Sequence, residues 1–136
     1  MNATRPFFDT NILLYLLSSE TAKADRAEAL LADGGVISVQ VLNEAASVMS
    51  RKLRMSWPEI SEFLETIRRL CRVEPLTSRT HEHGIALSER HGFSVYDAMI
   101  LASALLADCD VLWTEDLQHR QCIEDRLTVS NPIWNA

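Results

Sequence analysis

The chain has 136 residues, 47% of them hydrophobic and 24% charged, which fits one globular domain (1–136) with a core of its own and argues against disorder over most of its length. Thirteen Lys and Arg against nineteen Asp and Glu leave a net charge of -6. That balance excludes a broadly basic surface for nucleic acid, so a polyanionic substrate would need a metal or a local basic patch. Cys71, Cys109 and Cys122 are an odd number without C-x-x-C spacing, which excludes a disulfide framework and a thiolate zinc site and points to a reducing cytoplasm.

The residues before Phe7 lack a secretory apolar region, and the longest apolar run, 98–107, is half of what a bilayer span needs. A cytoplasmic protein without a membrane segment is therefore expected. In chain order, 6–8 reads as a first strand that ends at Asp9-Thr10-Asn11, followed by a helical run over 12–17. A polar-faced helix over 21–32 is stopped by Gly34-Gly35, and a short strand over 36–38 leads into a helix over 40–53. Ser56 and Glu59 have capping-box spacing with Pro58 in the first turn, so the next helix should run to Leu70. A strand over 72–75, a helix over 83–90 closing at Gly92, and a buried helix opened by Ser94 and continuing to Ala107 come next. The clearest strand is 111–114. A short helix over 116–125 and a last strand over 127–130 complete the pattern. This alternation predicts an α/β fold, a three-layer αβα sandwich around a mainly parallel five-stranded sheet, with its site at the carboxyl ends of the strands.

Four acids fall at that edge. Asp9 follows the first strand and, with Asn11, has the composition of a helix cap. Asp97 lies three residues after Ser94, where a capping box would place it, but also in line with Ile100, Leu101 and Ala104 on the apolar stripe. Glu44 has the weakest ordinary explanation, because Val41 and Val48 at i-3 and i+4 carry it against the core. Asp116 follows the strand over 111–114, where an N-cap or Asx-turn is the alternative, and Glu115 competes for its role. If these carboxylates converge, each pair about 6 Å apart repels by roughly 3 kcal/mol at an effective dielectric near 20. A hard divalent cation, Mg²⁺ with Mn²⁺ as substitute, would offset that repulsion, and all-oxygen ligands select it. Such ions suit phosphodiester hydrolysis, with Asn11 and Thr114 beside the metal or phosphate.

Phe8-Asp9-Thr10-Asn11, Glu44 within Val41-Leu42-Asn43-Glu44, Tyr96-Asp97-Ala98, Trp113-Thr114-Glu115-Asp116 and Val129-Ser130-Asn131-Pro132 together resemble the PIN-domain ribonucleases. Within them the chain looks most like VapC-type toxins of bacterial toxin-antitoxin modules, over its whole length and in the family's order. The resemblance implies an αβα fold and Mg²⁺-dependent cleavage of RNA, tRNA or rRNA, leaving a 5′-phosphate and a 3′-hydroxyl. It implies a homodimer restrained by a small antitoxin that inserts a segment into the acidic pocket. By position it assigns Asp9, Glu44, Asp97 and Asp116 as catalytic, metal-ligating acids with Thr10, Asn11 and Thr114 beside them; adjacent Glu115 leaves the fourth acid open. A general RNA-processing nuclease and a non-catalytic RNA- or protein-binding module are the alternatives, the latter opposed by the presence of all four acids. A haloacid-dehalogenase phosphatase would need Asp-x-Asp, where this chain has Asp9-Thr10-Asn11.

Arg51, Lys52 and Arg54, and separately Arg68, Arg69 and Arg72, read first as helix-end charges and second as phosphate contacts. His81, His83, His91 and His119 lack the spacing of a helical zinc site, and His119 is expected at the surface. Trp113 should be core, whereas Trp57 and Trp134 suit an interface. Leu53, Trp57, Ile60, Phe63, Leu64 and Ile67 read as the turn and inner face of a helix pair, and whatever part of that surface is exposed is where the antitoxin or a second subunit is expected.

Overall fold

A computed structural model describes residues 4–134; the ends of the expected domain, 1–3 and 135–136, lie outside the described residues. The chain runs β1 (Pro6–Phe8), α1 (Thr10–Tyr15), α2 (Thr21–Leu31), β2 (Gly35–Ser38), α3 (Val39–Arg51), α4 (Trp57–Leu70), β3 (Cys71–Glu74), α5 (Ser78–His91), α6 (Val95–Leu106), β4 (Val111–Trp113), β5 (Cys122–Ile123) and β6 (Leu127–Ser130). The strands form one sheet in the order β3-β2-β1-β4-β6-β5, parallel except for β5. Phe7, Phe8, Ile37, Leu112 and Val129 of the central strands are fully buried, as expected where helices flank a parallel sheet.

Local chemistry sets the helix ends. Ser56 and Glu59 make the reciprocal capping box of α4, and Gly92 closes α5 at φ 75°, a conformation that costs glycine little. In α6 every residue from Ala98 to Leu105 is buried, so this helix is an internal strut rather than an amphipathic cover. Gly84 lets α5 lie directly against it: a β-carbon there would stand 2.6 Å from Met99 Sδ.

Two expectations need correction. The short helix over 116–125 is absent: the segment is a loop followed by β5, which makes the sheet six-stranded and mixed rather than five-stranded. Glu124 and Asp125 both have positive φ, 52° and 56°, and Arg126 N–H donates to the Ile123 carbonyl. Two successive left-handed residues give the turn that matches strand twist, so β5 and β6 close as a hairpin. The helix expected over 83–90 begins at Ser78, because Thr77 and Thr80 cap it reciprocally without the Glu or Gln that usually signals a box.

Candidate active site

β1 and β4 are neighbours, yet the chain leaves β1 toward β2 and reaches β4 only after β3, so the strand order turns between them. A crevice opens at such a reversal, outside the carboxyl ends of the strands. Asp9 N–H donates to the Trp113 carbonyl at 3.0 Å, and Thr114 N–H to the Ser130 carbonyl at 3.0 Å, so the ladder continues one residue past each strand. Backbone pairing therefore places Asp9 beside Thr114. Thr114 Oγ1 donates to Asp9 Oδ2 at 2.8 Å, while Asp9 Oδ1 accepts from Thr10 N–H at 2.7 Å. Asp9 is thus the cap of α1 and also a buried acid, only 6% exposed.

The neighbouring acids join through the same side chains. Thr10 Oγ1 donates to Glu44 Oε1 at 2.6 Å, and Gln40 Nε2 reaches Glu44 Oε2 at 3.2 Å. Gln40 also donates to the Tyr96 carbonyl at 3.0 Å, tying α3 to the start of α6, where Asp97 stands. Asp116 N–H donates to Thr114 Oγ1 at 3.1 Å, and Asn11 Nδ2 to Asp116 Oδ2 at 3.0 Å. Glu115 is held apart from this network by the Tyr15 hydroxyl, so Asp116 is the one that shares Asp9's partner. Ser94 accepts from Asp97 N–H at 3.2 Å, but no bond returns from the Asp97 carboxylate, so half of the capping box is unmade. Sequence reasoning missed Gln40 and Tyr15. Gln40 lay one turn before Glu44 on the same stripe, a polar residue in an inward position; Tyr15 gave no comparable signal.

The acids feel one another. Burial pushes the Asp9 carboxyl up from 3.8 to about 6, against the lowering pull of the Thr114 and Thr10 hydrogen bonds and with further upward pressure from Asp116 and Glu44. Asp116 is raised by burial first, then by the charges of Glu115, Asp97 and Glu44. The donors are all oxygen, and Asn11 Oδ1 is buried beside Asp116 without a partner, which fits a hard divalent cation. Among the described residues no three His, Cys, Asp or Glu side chains form a ready metal cage. Mg²⁺ seldom requires one, since it usually takes one or two carboxylates together with water and substrate phosphate.

Elsewhere, Arg69 pairs with Glu65 and Arg72 with Glu74, whereas Arg51, Lys52 and Arg54 are exposed and make no ion pair among the described residues. His83 meets Glu124 at 2.8 Å. His119, expected at the surface, is half-buried: its Nδ1 accepts from Asn131 N–H and its ring stacks on Trp134. Trp113 is half-buried beneath the Arg26 guanidinium, while Trp57 is 65% exposed. No described helix is long and apolar enough to cross a membrane.

The family described as PIN domain matches residues 7–122. A search of curated proteins finds no match. Among solved structures, the chain is similar to a toxin-antitoxin complex from Klebsiella pneumoniae, with 22% identity over 93% of this chain and 97% of that one and a TM-score of 0.72. It is similar to VapC20 of Mycobacterium tuberculosis, described as a sarcin-ricin-loop-cleaving toxin, with 22% identity, 82% and 91% coverage and a TM-score of 0.66. DNA-bound VapBC from Salmonella typhimurium shares 18% identity over 96% and 99% of the two chains, with a TM-score of 0.69.

Proposed function

The chain belongs to the PIN-domain family, and from that premise we propose that it is a single-domain, metal-dependent endoribonuclease acting as the toxin of a toxin-antitoxin pair. The observation that carries this reading is Asp9, buried, bonded on both oxygens, and set among Glu44 and Asp116, which raise the cost of its charge. A fold keeps that arrangement at a loss unless a cation compensates it.

One or two of Asp9, Glu44, Asp97 and Asp116 would hold Mg²⁺, or Mn²⁺ in its place, directly and the others through its water, with the unpartnered Asn11 Oδ1 on the side chain that bonds Asp116. Bound there, the ion would polarise the phosphate and lower the pKa of water. The protein's own work is positional. Thr114 fixes the Asp9 carboxylate, Thr10 and Gln40 fix that of Glu44, and Gln40 sets the start of α6 that presents Asp97. Asn11 Nδ2 donates to Asp116 Oδ2 and fixes that carboxylate, which leaves its Oδ1 to accept a proton from the attacking water. Water then adds at phosphorus as the bond to the 3′ oxygen breaks; the proton that water loses passes to Asp116 and the departing 3′ oxygen takes one from solvent water, leaving a 5′-phosphate and a 3′-hydroxyl.

The partners follow from the same reading: RNA as substrate, with tRNA or rRNA the classes considered, a second copy forming a homodimer, and a small antitoxin protein. Similarity to structures described as toxin-antitoxin complexes supports the antitoxin, and similarity to a sarcin-ricin-loop-cleaving toxin supports rRNA. Exposed Leu53 and Trp57, at the turn between α3 and α4, suit such a partner. Purified protein incubated with RNA in Mg²⁺, Mn²⁺ or EDTA, beside Asp9→Asn and Asp97→Asn, tests the reaction. Cleavage should need the cation and fall about a hundredfold or more in each variant. Activity that survives EDTA or either substitution refutes the metal mechanism.

A further inference from the structure

Glu44 has a second neighbourhood. Besides bonding Thr10 and Gln40, it lines a cleft of about 550 Å³ bounded by Asn43 and Ser47 of α3, His81 of α5, Leu76, and Val95 and Tyr96 at the start of α6. Tyr96 is 70% exposed, and Val95 and Leu76 are exposed beside it. The Gln40 amide holds the Tyr96 carbonyl at 3.0 Å and so fixes the backbone that carries this open ring, one residue before Asp97. No hydrogen bond among the described residues engages the side chains of Asn43, Ser47 or His81.

The helix extends the cleft. Glu44, Ser47 and Arg51 are spaced i, i+3, i+7 and so share one face of α3, with Arg51 about 10 Å along the axis from Glu44. Arg51, Lys52 and Arg54 stand exposed and without ion pairs among the described residues, despite a net charge of -6. An aromatic-sided cleft with uncommitted polar groups therefore contains a candidate catalytic acid, and one free cation, Arg51, stands on the same helix face beyond Ser47. An unpaired nucleotide matches this arrangement part for part: a flat apolar base with hydrogen-bonding edges, joined to an anionic backbone. Proteins read single-stranded RNA by stacking splayed bases on aromatic side chains.

We propose that this cleft takes an unpaired RNA base beside the scissile phosphate, stacked on Tyr96, while Arg51 holds a neighbouring phosphate. The proposal rests on the nuclease reading and adds a residue-level source of selectivity to it: the base next to the cut is read at Tyr96, so cleavage depends on that base.

The test uses the full chain carrying Asp9→Asn, in EDTA, titrated with single-stranded RNA oligomers containing 2-aminopurine, alone and combined with Tyr96→Ala, Tyr96→Phe or Arg51→Gln. Sedimentation is measured for each variant. Stacking on Tyr96 should quench the 2-aminopurine, Tyr96→Ala should weaken binding about 5- to 100-fold, and Tyr96→Phe should restore it. Arg51→Gln should weaken binding to all sequences alike and reduce the salt dependence by about one ion. Unchanged RNA affinity in Tyr96→Ala overturns the proposal. So does a loss of self-association in Tyr96→Ala with RNA affinity intact, which would assign the cleft to a second copy of the chain. Hydrolysis of RNA and of bis(p-nitrophenyl) phosphate by the unsubstituted protein with Mn²⁺ is the separate control: failure on both defeats the nuclease reading, while the binding data still decide the cleft.

Discussion

Phe8 and Asp9 are adjacent in the chain and almost equally hidden, at 0% and 6% exposure, yet they are held by opposite means. Phe8 ends β1 inside the apolar core, where removal from water is itself the stabilising force. Asp9 stands one residue further on, where the same removal penalises its charge and two hydrogen bonds only partly compensate. Within a single residue the sheet passes from a region whose contribution to stability is independent of pH to one whose contribution depends on protonation and on what is bound. The first region builds the fold, and the second holds free energy that a ligand can recover.

The largest effect belongs to the core side. Phe8→Ala should cost about 3–5 kcal/mol in urea unfolding, with little dependence on pH, because it removes burial and leaves a cavity. On the other side the sign is reversed. Asp9 has a folded pKa of about 6 against 3.8 unfolded, so between those values the native state binds more protons and stability falls as pH rises. Below about pH 4 the penalty is absent; above about pH 6 it is fully present, amounting to about 3 kcal/mol at roughly 1.4 kcal/mol per pH unit. Urea unfolding in EDTA should therefore show Asp9→Asn more stable than the parent at neutral pH and the advantage gone near pH 4. An advantage that persists in acid would locate the penalty elsewhere.

Smaller effects refine the contrast. Thr114→Val keeps the shape of a fully buried side chain but leaves Asp9 Oδ2 and Asp116 N–H without their shared partner, which should cost about 1–3 kcal/mol in the same assay. Glu115→Gln should change RNA cleavage least, well under tenfold, since Tyr15 holds this side chain outside the network that links Asp9 to Asp116. A loss as large as that of Asp116→Asn would mean that Glu115 is the fourth acid.

Most of the architecture was legible because burial and capping write periodic signals. The inward valines of α3, the Ser56 and Glu59 box and the continuous apolar run of α6 are each local in sequence. The hairpin over β5 and β6 was not legible, since Glu124 and Asp125 adopt left-handed conformations that their residue types do not announce. At the site the acids could be named from position, but their connections could not. That Thr10 reaches Glu44 and Tyr15 reaches Glu115 depends on how α1 sits against α3 and the loop after β4, contacts 34 and 100 residues apart in the chain.

The central claim is that the carboxylate edge is incomplete until a divalent cation joins it. Thermal unfolding at neutral pH, with Mg²⁺ or Mn²⁺ against EDTA, in the parent and in Asp9→Asn, measures this directly. The cation should raise the parent's melting temperature and Asp9→Asn should remove most of that rise, because binding to the folded state alone stabilises it. An unchanged melting temperature in the parent, or an equal rise in both proteins, would contradict it.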